Sequence, residues 1–142
     1  MDYSSLVLDI FEAFIKIYST ILNKPYVRAD VVYVPIKGKS GKVTKEEIAV
    51  TIINESGPEI EVKRIWFITS FNRPIFSKYV DSKMPIKVPR KDRTTYFIPI
   101  EEFKAMLNKS VGDTIIKAAV LDNTENIHVG RVHKVAQAEL AK

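Results

Sequence analysis

Residues 46–71, EEIAVTIINESGPEIEVKRIWFITSF, form two apolar runs divided by a turn signal, and their reading decides the fold. In the first run Ile48, Val50 and Ile52 alternate with Ala49, Thr51 and Ile53. This two-residue period of β-branched side chains suits a pleated strand covered at least partly on both faces. Asn54, Ser56, Gly57 and Pro58 end it: Asn and Gly accept left-handed backbone, and Pro has no N–H to give to a ladder. The second run opens with Ile60 and Val62 on one side and Glu59, Glu61 and Lys63 on the other, then thickens to Ile65, Trp66, Phe67 and Ile68. A bulge near Lys63 and Arg64 accounts for that change of pattern. The break at 54–58 reads as a link between two sheets rather than a tight hairpin.

Working outward, 25–36 (PYVRADVVYVPI) reads as a strand with Val27, Ala29, Val31 and Tyr33 on one face, and Pro35 suggests an edge or a bulge. The loop 37–45, KGKSGKVTK, contains four lysines and no acid and is expected to be exposed and mobile. Beyond Phe71, Pro74, Pro85 and Pro89 cut 72–93 into short pieces, read as two short edge strands joined by loops. A strand at 94–100 and a short helix at 101–107 follow, with Phe103, Met106 and Leu107 inward and Glu101 and Glu102 at the helix's positive end. Runs 114–121 and 127–135, joined by Asp122-Asn123-Thr124-Glu125-Asn126, predict an antiparallel hairpin in which Gly130 marks a bulge or the close approach of another backbone.

Ahead of the strands, Tyr3, Leu6, Val7, Ile10, Phe14, Ile17, Tyr18 and Ile21 recur at spacings of three and four, which predicts an amphipathic helix over 3–22. Leu6, Ile10, Phe14, Ile17 and Ile21 are its candidate interface, against its own domain or a sister copy, with a membrane interface as the alternative. Asp9, Glu12 and Lys16 would sit inside any membrane span, and Asp or Lys at a helix centre costs roughly 2.5 to 3.5 kcal/mol, so no transmembrane helix is expected. Asp2, and the lack of a small-residue cleavage site, argue against a secretory leader.

At 142 residues the chain is long enough to bury a sizeable core, and 46% hydrophobic with 27% charged residues is ordinary for a globular domain. The division expected is a helix at 1–24, a β domain at 25–135 and a short, helix-prone tail at 136–142 that can fray. No cysteine is present, which removes disulfides and thiolate metal sites and mildly favours a reducing, cytoplasmic setting.

Seven or eight short strands without long crossover helices point to an antiparallel β-sandwich preceded by one helix, with a small barrel as the alternative. The segments TIINESGPEIEVKRIWF, TTYFIPIEEF and AAVLDNTENIHVGRV resemble immunoglobulin-like or fibronectin-like sandwich domains, as in small bacterial or phage proteins with a helix in front. The resemblance covers about 26–135 and implies that Trp66 is the core aromatic; the antibody-type cysteine pair is absent. It also implies binding or assembly rather than catalysis.

The residues themselves offer no catalytic constellation. His128 and His133, five apart, are read as satisfied or surface histidines rather than ligands. KGKSGK lacks the spacing of a phosphate loop. No cofactor is expected. Charge is more informative: of the net +5, loop 37–45 contributes +4 and 73–93 contributes +5, which leaves −4 on the rest. Lys37, Lys39, Lys42, Lys45, Arg73, Lys78, Arg90, Lys91 and Arg93 are therefore the candidate anion-binding residues. If the two regions share a side, Phe76 and Tyr79 among these cations could track phosphates. The expected function is a non-enzymatic interaction or assembly module with a protein partner or its own copies. The alternative is binding to nucleic acid or an acidic membrane surface, against the plainer reading that the cations are solvated loops guarding sheet edges.

Overall fold

The computed structural model describes residues 7–12, 27–55 and 57–142. Residues 7–12 are helical (α1); the rest of the helix expected over 3–22 lies outside the described residues. Eight strands follow: β1 (Val27–Lys37), β2 (Val43–Asn54), β3 (Ile60–Thr69), β4 (Pro74–Ile75), β5 (Ile86–Val88), β6 (Asp92–Pro99), β7 (Ile115–Asp122) and β8 (Ile127–Arg131). Three short helices, α2 (Lys78–Asp81), α3 (Ile100–Lys104) and α4 (Lys134–Ala141), complete the fold with a 3₁₀ turn at Lys109–Val111.

The strands form two antiparallel sheets in the order β1-β2-β6 and β4-β3-β7-β8, with β5 on the edge of β3. They are not closed into a barrel. The chain leaves β2 in one sheet and enters β3 in the other, so 54–58 is the link between sheets that its turn residues predict. Asn54, fully buried, holds that corner: its amide donates to the carbonyls of Pro58 (2.8 Å) and Val88 (3.1 Å), and its Oδ1 accepts from Gly57 N–H (3.1 Å).

Alternation places Ala29, Val31, Ile48, Val50, Ile52 and Ile98 of one sheet against Val62, Ile65, Phe67, Ala118 and Val120 of the other, in one core without solvent exposure. The pairing of β3 with β7 shifts between Val62 and Arg64, the bulge the sequence predicts. One consequence corrects the expectation for Trp66. Before the bulge the inward positions of β3 are even; after it they are odd, so Phe67 enters the core and Trp66 turns to the outer face. Phe67 meets Phe103 of α3 edge to face, with ring centroids 4.9 Å apart.

β4 and β5 are the two short edge strands expected in 72–93, joined by a helical turn, α2, that the prolines concealed. The sheets meet along one seam: Val31 and Val132 form a parallel bridge, and His133 N–H donates to the Val31 carbonyl at 3.0 Å. Here Gly130 is required by close approach, because a Cβ at that position would overlap the Ala29 backbone. The tail is docked rather than frayed: α4 buries Ala136 and Leu140 completely, and the Thr114 hydroxyl donates to the Gln137 carbonyl at 2.6 Å.

Candidate functional site

Strand register arranges the outer face of the five-stranded sheet in three rows: Arg64, Leu121, Ile127; Trp66, Ala119, Val129; and Ile68, Lys117, Arg131. Six of these nine side chains are apolar, more than a solvent-facing sheet surface normally presents. α1 lies on this face. Leu8 is buried with Ile68 and Ala119, and Trp66 and Ile127 pack alongside. Lys117 Nζ reaches up to Glu12 (2.7 Å) and Asp9 (3.3 Å). The hydrogen bond to Glu12, with the one to Asp9 and both carboxylate charges, holds the Lys117 ammonium above its ordinary 10.5 against a smaller opposing effect of burial. This lysine carried no signal of its own except as the single charge inside the apolar run TIIKAAVL.

The helix docks by one side only. Val7, Ile10 and Phe11, spaced as one helical stripe, are 46%, 60% and 37% exposed. Ile10 is the one candidate interface residue among those described; Leu6, Phe14, Ile17 and Ile21 lie outside them.

The candidate anion-binding residues lie at separate places in the fold. Lys37, Lys39, Lys42 and Lys45 lie on an arm: beyond the last β2–β6 pair, Glu47 with Pro99, strands β1 and β2 continue as a two-stranded ribbon to Lys37 and Val43. Residues 38–42 make its turn, where Gly41 takes φ +79° and donates to the Gly38 carbonyl at 3.0 Å. The nine-residue loop expected is thus a short, strand-supported tip. Both acids at the arm's root are engaged. Tyr33 donates to Glu46 at 2.6 Å, a bond that, ahead of burial, pushes its phenol up to about 12. Glu47 meets Lys45 at 2.9 Å and holds that ammonium above its usual value, mainly through the hydrogen bond.

Lys78 opens α2, next to Tyr79. Tyr79 is 44% exposed and carries Lys83 Nζ 5.0 Å from its ring centroid. α2 is fixed by Ser77, whose hydroxyl accepts from Val80 N–H and donates to Glu102 at 3.1 Å; Glu102 also accepts from Tyr79 N–H. Phe76 is covered by the Arg64 guanidinium, 4.0 Å from its ring centroid. Arg90, Lys91 and Arg93 are at the other end of the three-stranded sheet, where Arg93 and Arg28 flank Ile53. Arg73 donates to the Met106 carbonyl at 2.6 Å and approaches buried Asp113 at 3.6 Å. The second basic region is therefore spread over separate places in the fold.

His128 is buried and bonded to Asp122 Oδ2 at 2.8 Å, while Asp122 Oδ1 accepts from Thr124 N–H, the Thr124 hydroxyl and Asn126 N–H. These bonds build the hairpin turn. His133 is exposed at the start of α4. No group of three or more His, Cys, Asp or Glu side chains arranged for a metal occurs among the described residues. No helix among the described residues is long and apolar enough to cross a membrane. Comparison with family models, with curated proteins and with solved structures finds no match.

Proposed function

We propose that the protein is a non-enzymatic interaction or assembly module, an immunoglobulin-like sandwich that presents α1 to a protein partner, in the first instance a second copy of itself. The observation that carries this reading is the two-sidedness of α1. Leu8 and the Lys117 clamp fix it to its own sheet, and Val7, Ile10 and Phe11 face away from that anchorage as an exposed apolar stripe. A helix whose anchored side is already satisfied can pair its other stripe with the same stripe of another copy without leaving its sheet.

Strand order supports the immunoglobulin-like part. β1-β2-β6 facing β4-β3-β7-β8 follows the A-B-E and C′-C-F-G arrangement of such domains, with Phe67 in place of the expected core aromatic. A cytoplasmic setting belongs to the proposal, supported by the absence of cysteine. Light scattering over a range of concentrations tests the function. The full chain should gain mass with concentration, and Ile10→Asp should remain at the mass of one chain with an unchanged unfolding midpoint. A wild-type chain that stays monomeric throughout rejects self-assembly.

A further inference from the structure

The β1–β2 arm has a different chemistry from α1 and points to a different partner. Between Lys37 and Lys45 there is no acidic residue, and the two acids at the root are held by Tyr33 and Lys45. Lys37, Lys39 and Lys42 are exposed, and no ion pair engages any of them among the described residues. From the pair Val34–Glu47, the last that β6 covers, to Lys37 is three residues of strand, roughly 10 Å at about 3.3 Å per residue, with the 38–42 turn beyond it. The major groove of B-form DNA is about 12 Å wide and 8.5 Å deep and admits a two-stranded β-ribbon, so the arm reaches its floor.

We infer that the arm is a duplex nucleic-acid contact, with Lys37, Lys39 and Lys42 neutralising phosphates along the groove. The tip sequence Gly-Lys-Ser-Gly-Lys favours this partner over a lipid surface. It offers charge and hydroxyl to phosphate, and the arm's exposed apolar side chains, Ile36 and Val43, are set back from the 38–42 turn rather than at its tip, where they would have to enter a bilayer. Affinity is then mainly electrostatic and independent of sequence.

Fluorescence anisotropy of the full chain with a labelled DNA duplex of about two helical turns, ~20 base pairs, provides the test. Three phosphate contacts give a log–log salt slope of about −2.7, a ~40-fold loss of affinity between about 50 and 200 mM salt. Lys39→Gln with Lys42→Gln should reduce that loss to ~3-fold with the thermal midpoint unchanged. Arg90→Gln with Lys91→Gln, at the opposite end of the sheet, should retain the wild-type slope. No binding at the lowest salt, an unchanged slope in the arm variant, equal weakening in the 90/91 variant, or tighter binding to phosphatidylserine vesicles than to the duplex would each overturn the inference.

Discussion

Replacing Phe67 and Trp66 separately by Ala tests the β3 bulge, on which the placement of both faces of the five-stranded sheet depends. Phe67 is completely buried and packs edge to face on Phe103. Removing a ring from such a site costs about 3 to 5 kcal/mol, of which roughly 0.5 to 1.5 kcal/mol belongs to the aromatic pair. Trp66 is half-buried beneath α1. Losing roughly 100 Å² of its contact area, at about 25 cal/mol per Å², costs about 2.5 kcal/mol or less, since the outer face can close against α1. For a urea m value near 2 kcal/mol per molar, the midpoint should fall by about 2 M for Phe67→Ala and about 1 M for Trp66→Ala. Circular dichroism is the appropriate readout, because Trp66 is the only tryptophan and its substitution removes the fluorescence signal. A double-mutant cycle with Phe103→Ala sharpens the contrast: Phe67 should couple to Phe103 by about 1 kcal/mol and Trp66 by about zero. A larger loss at Trp66 than at Phe67, or coupling between Trp66 and Phe103, would refute the bulge and return the tryptophan to the core.

Three further perturbations address the hairpin, the seam and the helix. Burial raises the Asp122 carboxyl, but hydrogen bonds from His128, Thr124 and Asn126 outweigh it and hold the group below its ordinary 3.8. Its contribution is therefore complete above that value and lost as pH falls through the lower folded one. Asp122→Asn should cost about 2 to 3 kcal/mol at neutral pH, with the gap to wild type closing in acid during urea unfolding. Gly130→Ala should destabilise the domain by at least ~2 kcal/mol, read in the same assay, because the new methyl group meets the Ala29 backbone rather than a movable side chain. Lys117→Met should speed hydrogen exchange at residues 7–12 while leaving β3 and β7 protected, at a cost of about 1 kcal/mol or less. In the wild type the same release should follow as pH rises past the elevated Lys117 pKa, since the ammonium stabilises the contact below 10.5 and is lost above its folded value.

Local signals made much of the fold legible in the sequence. Alternation in β2, the Asn-Gly-Pro corner, the Asp-Asn hairpin loop and Gly130 each describe a backbone requirement that acts over a few residues, and each appears in the structure. The bulge is legible too, but its effect on parity is not: once one residue is inserted, Trp66 and Phe67 exchange faces, and size alone does not say which ring is inside. α2 escaped because one helical turn between prolines has no period to detect; its stability comes from Glu102, twenty-five positions from Ser77. The same limit applies to the candidate site. Lysine content identifies the arm, yet its projection beyond β6 and the separation of Arg90, Lys91 and Arg93 depend on strand pairing between distant segments. Lys117 is the clearest case, since its partners Asp9 and Glu12 are more than a hundred residues away.

The most direct test of the assembly reading exploits the absence of cysteine, because Ile10→Cys places a single thiol in the exposed stripe of α1. Under mild oxidation that variant should form a disulfide-linked dimer much faster than Ser40→Cys, whose thiol sits on the arm away from the proposed contact. Equal, slow cross-linking at the two positions would contradict the pairing of α1 between copies.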